Sequence, residues 1–89
     1  MAAYSLSFKP SVEKDLRDLP KTEIPRVMQR IGELAENPLA HGSRKLVSAE
    51  RFYRVRVGDY RIVYEVDSPS KLVIIHYVRH RRDVYRAIS

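Results

Sequence analysis

Cysteine and tryptophan are absent from this 89-residue chain, and there are only three glycines. Without cysteine there is no disulfide framework and no thiolate nucleophile, which fits a reducing cytoplasm. No segment approaches the roughly 18 apolar residues that span a bilayer, and the first residues lack a basic stretch followed by an apolar run. We therefore expect a cytoplasmic protein that is neither secreted nor inserted in a membrane.

The composition is that of one folded domain. Hydrophobic residues make up 44% of the chain and charged residues 31%, values typical of a globular protein rather than a disordered one. A chain of this length has room for a single hydrophobic core. The sequence therefore predicts one domain over residues 1–89.

Positive charge is concentrated in the second half of the chain. Residues 1–43 hold as many acidic as basic side chains, so residues 44–89 carry the whole formal net charge of +6. Most of the basic residues there are arginines, whose planar guanidinium groups match phosphate oxygens two at a time. This asymmetry indicates a polyanionic partner, although a solvated basic surface would give the same composition.

The pattern of the first half of the chain predicts one strand followed by two helices. Residues 4–8 alternate apolar and polar side chains, which is the period of a half-buried strand. Pro10 suits the first turn of a helix, and Val12, Leu16 and Leu19 recur at helical spacing after it.

The second helix has a stronger pattern. Thr22 can cap its start, Pro25 is tolerated in its first turn, and residues 37–38 (Asn-Pro) end it. Its apolar stripe, which we expect to lie in the core, comprises Ile24, Val27, Met28, Ile31, Leu34 and Ala35.

The period then changes to two, as in strands. Residues 52–57 and 60–66 flank Gly58-Asp59, a two-residue hairpin signal, and residues 72–78 form a strand that is apolar on both faces and therefore central. The predicted order is β-α-α-β-β-β. An alternative adds a short helix at the C-terminus. The fold class is α+β, with both helices packed on one face of the sheet.

Closing the hairpin at Gly58-Asp59 fixes which side chains face each other. Arg56 lies opposite Arg61, and Arg54 shares their face. Directly opposed like charges destabilise a sheet, so the cluster requires a reason. Binding of phosphates is one, and arginines splaying into water is the alternative.

A second basic segment lies near the C-terminus. Arginines Arg79, Arg81 and Arg82 are interleaved there with His80 and Tyr85. Cations beside a ring that can stack on a base are typical of single-stranded RNA recognition. Tyr85 could instead anchor a terminal helix in the core.

Other kinds of site find little support. The three histidines have no metal-ligand spacing, and the chain has neither a Gly-rich phosphate loop nor a nucleophile elbow, so we expect no metal and no cofactor. His76, within an apolar strand, reads as a core histidine whose hydrogen bonds are satisfied.

RNA cleavage is a reaction that such a set of residues can catalyse without metal. The 2′-hydroxyl attacks the adjacent phosphate, so the protein has only to move protons and stabilise the phosphorane. Arginine can stabilise the phosphorane but cannot act as a base. Proton transfer is left to Tyr85, whose phenol would need a pKa lowered by nearby guanidinium groups, or to His80.

The chain resembles the RelE/ParE superfamily of toxins from type II toxin-antitoxin systems. The resemblance covers nearly the whole chain and is carried by residues 4–8, the helical pair and the Asn-Pro at 37–38, followed by 52–56, 60–64 and 80–85. It implies the α+β fold given above with a curved, mainly antiparallel sheet, and activity as a ribosome-dependent mRNA endonuclease.

The resemblance also implies the site. The functional groups of the RelE branch fall here on Arg54, Arg56, Arg61, Arg81 and Tyr85. RelE has lysines where this chain has Arg54 and Arg56, which excludes lysine as the base. We expect Arg61 and Arg81 to stabilise the phosphorane, with Tyr85 or His80 moving protons. The residues expected to hold flanking phosphates are Arg54, Arg56, Arg79 and Arg82.

The expected partners are messenger RNA in the ribosomal A site and a cognate RelB-like antitoxin, forming a hetero-oligomer. A ParE-like inhibitor of DNA gyrase that cuts nothing is the main alternative, because a shared fold does not fix function. A basic adaptor without enzymatic activity is a third reading. Codon preference, complex stoichiometry, the identity of the base and cleavage without ribosomes stay open.

Overall fold

The computed structural model describes residues 3–39, 44–45 and 51–82. Its elements, in chain order, are β1 (Ser5–Phe8), α1 (Pro10–Arg17), α2 (Ile24–Glu36), β2 (Arg44–Lys45), β3 (Phe52–Val57), β4 (Tyr60–Asp67) and β5 (Leu72–His80). The predicted order of strand, two helices and three strands is confirmed. The two-residue strand β2 was not predicted, because so short a segment shows no periodicity.

The strands form one mixed sheet in the order β1-β5-β4-β3-β2. β1 pairs with β5 in parallel, and every other neighbouring pair is antiparallel. β5 therefore lies between two strands along residues 72–75, which confirms that it is a central strand there. The sheet is mainly antiparallel, as predicted.

The core lies between the two helices and one face of the sheet. On α2, Val27, Ile31 and Leu34 follow the helical spacing and are completely buried. α1 contributes Val12, and Leu19 is still buried just after that helix ends. The sheet side chains in this core are Val55, Val57, Ile62, Tyr64, Val66, Val73, Ile75 and Val78.

Two details of the second helix differ from the prediction. The residue before its first turn is Glu23 rather than Thr22, and no side chain caps it. The chain is already turning there, since the Glu23 N–H donates to the Pro20 carbonyl. Met28 was expected in the core but is 40% exposed, because it lies at the border of the buried stripe rather than on its centre line.

The hairpin between β3 and β4 turns at Gly58-Asp59, as predicted. Gly58 has φ of +58°, and Asp59 is not among the residues with positive φ. This is the pattern of a type II′ turn, which takes glycine at its first central position and matches the twist of the flanking strands. The turn fixes the register of the two strands.

We expect Gly58→Ala to lower the free energy of unfolding by about 1 kcal/mol, since an L side chain is strained at positive φ. The added Cβ would meet no atom closer than 3.8 Å, so the cost is confined to the backbone. Gly32→Ala is the matched control. Gly32 lies within α2 with open space around it, and alanine there should raise the free energy of unfolding by about 0.5–1 kcal/mol. Urea unfolding should show that the free energy of unfolding falls for Gly58→Ala and rises for Gly32→Ala.

A β-bulge interrupts the pairing of β4 with β5. Val63 pairs with Tyr77 and the next residue, Tyr64, pairs with Ile75, so His76 is an extra residue on β5. The bulge shifts the alternation of side chains along the strand. Ile75 therefore faces the core before the bulge and Val78 faces it after the bulge.

The chain leaves the extended conformation at the end of β5. The backbone of residues 81 and 82 is helical, and the remaining residues, with the expected C-terminal helix and Tyr85, lie outside the described part of the chain. Within that described part, no helix has the length and apolar character needed to cross a membrane.

Candidate nucleic-acid interface

The face of the sheet opposite the helices is called here the outer face. Side chains alternate along a strand, so the neighbours of core residues project to the outer face. Arg56 lies between the core residues Val55 and Val57, and Arg61 precedes the core residue Ile62. The arginines of the hairpin are thus excluded from the core.

Three arginines occupy adjacent positions across the outer face. Arg56 pairs with Arg61 on β4, and Arg61 pairs in turn with Arg79 on β5. Directly opposed residues of an antiparallel pair have Cβ atoms about 4.5–5.5 Å apart. The set Arg56, Arg61 and Arg79, called here the arginine row, therefore concentrates three positive charges within a short span.

The hairpin turn holds two members of the arginine row. The Arg56 Nε–H donates to the Gly58 carbonyl oxygen at 3.2 Å, and Arg61 Nη1 reaches the same oxygen at 3.4 Å and the Tyr60 carbonyl oxygen at 3.2 Å. A shared carbonyl acceptor draws the two guanidinium groups toward the turn. It also offsets part of their mutual repulsion.

Arg79 is held by different partners. Its Nε–H donates to Asp15 Oδ1 at 3.4 Å, and its guanidinium carbon lies 4.4 Å from the centre of the Tyr77 ring. The other carboxylate oxygen, Asp15 Oδ2, accepts from the Val78 N–H at 3.1 Å. Helix α1 thus completes the edge of β5 beyond the end of β1, and the same carboxylate orients Arg79. Neither Asp15 nor Tyr77 was singled out from the sequence, because their roles depend on long-range packing.

Two more of the predicted arginines lie near the row. Arg54 is two residues before Arg56 on the same strand and opposite Val63, which places it on the outer face. The Arg81 N–H donates to the Asp59 carbonyl oxygen at 2.9 Å, which ties the end of β5 to the hairpin turn. Arg81 is exposed and so is Arg82. Arg54, Arg56, Arg61 and Arg79 therefore share the outer face, and the backbone of Arg81 lies beside them at the hairpin turn.

His80 lies on the other side of the sheet. It pairs with Tyr60, which packs against the core, and the two rings meet edge to face with centres 5.6 Å apart. Its Nδ1 accepts a 3.4 Å hydrogen bond from the Arg82 N–H. The structure therefore does not bring His80 together with the arginine row.

His76 has satisfied hydrogen bonding, as expected, but it is on the outer face rather than in the core. Its Nε2 lies 3.1 Å from Glu65 Oε1, and its ring centre is 4.8 Å from that of Phe52. The side chains of His76 and Glu65 are about one-fifth exposed. Among the residues that the structure describes, no three carboxylate or histidine side chains are grouped to hold a metal ion.

The described residues define an α+β domain with two helices on one side of a mixed sheet and a cluster of arginines on the other. This chain belongs to the family described as the ParE toxin of type II toxin-antitoxin systems, parDE, whose model matches residues 6–85. The resemblance found in the sequence, to the RelE/ParE superfamily, is confirmed.

Known relatives carry RelE-type names. The chain is 31% identical over 84 residues to toxin RelG of Mycobacterium tuberculosis, covering 93% of this chain and 97% of that toxin. It is 32% identical over 82 residues to toxin RelE3 of Methanocaldococcus jannaschii, covering 88% and 91%. Among solved structures, the archaeal RelE-RelB complex from Pyrococcus horikoshii OT3 superposes with a TM-score of 0.78 at 28% identity, covering 89% of this chain and 96% of that chain.

Proposed function

We propose that this toxin is a metal-independent endoribonuclease that cleaves messenger RNA in the ribosomal A site and thereby inhibits translation. The arginine row is the observation that carries the proposal. Three guanidinium groups on neighbouring strands suit the extra negative charge that develops on a phosphate under attack. A purely structural surface would gain nothing from placing like charges in direct opposition.

In the proposed reaction, the 2′-oxygen of the RNA forms a bond to the adjacent phosphorus and gives its proton to a base. The bond from phosphorus to the 5′-oxygen breaks, and that oxygen takes up a proton. The products are a 2′,3′-cyclic phosphate and a 5′-hydroxyl. This chemistry needs no cofactor, because the RNA supplies its own nucleophile.

The residues divide between charge stabilisation and proton transfer. Arg61 and Arg81 stabilise the phosphorane, and the flanking phosphates are held by Arg54, Arg56, Arg79 and Arg82. Proton transfer is assigned to Tyr85 or His80. The position of His80 beside Tyr60, on the helix side of the sheet, favours Tyr85.

The proposed protein partner is a cognate RelB-like antitoxin in a hetero-oligomer. The solved relatives include toxins in complex with RelB, among them RelBE2 of Mycobacterium tuberculosis, with a TM-score of 0.77 at 29% identity. An acidic segment that orders on binding would gain electrostatic attraction from the arginine cluster as well as apolar burial.

Inhibition of DNA gyrase without cleavage is the second candidate. It is favoured by one observation, the description of the matching family model as a ParE toxin. Inducing the chain in growing bacteria and following both processes separates the candidates. Immediate loss of protein synthesis, with intact DNA, is the expected result. Gyrase-linked DNA breaks that precede any loss of protein synthesis would contradict the nuclease.

A further inference from the structure

Three aromatic rings lie together on the outer face beside the arginine row. The Phe52 and His76 ring centres are 4.8 Å apart, and those of His76 and Tyr77 are 6.4 Å apart. The bulge at His76 creates this grouping, because it inserts one extra side chain next to Tyr77. Phe52, His76 and Tyr77 are called here the ring cluster.

The ring cluster is fixed by charged neighbours. Glu65 holds the imidazole of His76, with 3.1 Å between Oε1 and Nε2. The guanidinium of Arg79, a member of the arginine row, lies 4.4 Å from the centre of the Tyr77 ring. The ring cluster and the arginine row are therefore one continuous surface, and all three rings are partly exposed.

We propose that the ring cluster is a subsite that stacks one nucleobase of a single-stranded RNA whose phosphates lie on the arginine row. The inference rests on the proposed function. Tyr77 is two residues from Arg79 along β5, a distance of about 7 Å. That spacing is comparable to one nucleotide of an extended strand. Rings next to a row of cations are the combination that single-strand binding sites use.

The subsite involves residues other than the functional groups that the superfamily resemblance implies. Those groups fall on Arg54, Arg56, Arg61, Arg81 and Tyr85. The rings have a structural role as well, since Val63 on the outer face is only 1% exposed and pairs with Tyr77. A purely structural role and a stacking role differ in one respect: only stacking depends on whether the RNA carries bases.

The test compares the binding of two labelled probes by fluorescence anisotropy. One probe is a short 2′-O-methyl oligoadenylate, which lacks the nucleophile and is not cleaved. The other is the same oligomer with abasic units at its central positions. The variant is Tyr77→Leu, which removes the ring but keeps apolar bulk over Val63. The matched control is Tyr4→Leu, because Tyr4 also has a cation over its ring, Lys71 at 5.3 Å, but packs against the helix-side core.

The parent protein is expected to bind the base-containing probe about tenfold more tightly than the abasic probe, the effect of stacking one base. Tyr77→Leu should abolish this preference and bind the abasic probe within about twofold of the parent. Tyr4→Leu should retain the preference. If Tyr77→Leu proves unfolded by circular dichroism, His76→Leu is measured in its place.

A parent protein that binds both probes equally or binds neither, or a folded Tyr77→Leu that keeps the preference, would overturn the subsite. Cleavage of ribosome-bound mRNA by the same parent preparation reports the proposed function separately. If the protein cleaves ribosome-bound mRNA but binds the two probes equally, the subsite alone is refuted. If it prefers the base-containing probe but does not cleave mRNA, the nuclease alone is refuted.

Discussion

Replacing Arg61 with alanine is expected to reduce the rate of mRNA cleavage on ribosomes by about 10²–10³-fold, the usual effect of removing one donor that stabilises transition-state charge. Arg61 is the middle member of the arginine row, with Arg56 on one side and Arg79 on the other. Its loss therefore removes charge from the centre of the row. Initial rates with a defined mRNA measure the effect.

Two control variants make this result specific. Arg61→Lys keeps the charge but loses the planar fork, so it should recover only part of the rate. Arg17→Ala removes an exposed arginine at the end of α1 and should cleave at the parent rate. Thermal unfolding should show that all three variants are folded. Parent-like cleavage by Arg61→Ala would show that the row is not the site of reaction.

The second large effect is expected on stability. Ile31→Ala should lower the free energy of unfolding by about 2–5 kcal/mol. The isoleucine side chain is completely buried, so its truncation leaves a cavity in the core. That is a large fraction of the roughly 5–15 kcal/mol that stabilises a typical domain. Urea unfolding should show a lower midpoint with an unchanged slope.

Met28→Ala is the matched control for Ile31→Ala. Met28 lies one turn earlier on α2 but is 40% exposed, so truncation there should cost less than about 1 kcal/mol. Equal losses for the two variants would mean that α2 packs on the sheet through a different face. The pair thus tests the helix orientation that leaves the arginines on the outer face.

The hairpin was the most predictable part of the structure. Its two-residue turn and the alternation of its strands determine every pair from Val57 opposite Tyr60 to Phe52 opposite Glu65, and all of these pairs are found. This is why Arg56 and Arg61 could be placed side by side from the sequence. The helices were predictable for a similar reason, because their apolar spacing is a local signal.

The last strand was less predictable because of the bulge at His76. Strict alternation counted from Val73 would place Arg79 on the core side and Val78 on the outer face. The extra residue at the bulge reverses this assignment, and nothing in the local sequence indicates a bulge there. The bulge therefore decides that Arg79 joins the arginine row, and it also places His76 and Tyr77 together.

The side of the sheet on which His80 lies depends on whether the chain is still extended after Arg79, which the sequence left open. The basic segment from Arg79 onward groups His80 with its neighbours in sequence, but successive residues of a strand point to opposite faces. β5 extends through His80, so the imidazole faces Tyr60 while Arg79 faces outward. The strand stays extended up to this point by pairing with residues that lie about 20 positions earlier in the chain, such as Tyr60 opposite His80.

Mapping RNA ends in cells that express the chain tests the central claim most directly. The account predicts new ends at fixed positions within translated codons, with 2′,3′-cyclic phosphates upstream and 5′-hydroxyls downstream of each cut. These ends should be absent from cells that express Arg61→Ala. Growth arrest by the parent chain without new ends in translated regions would contradict it.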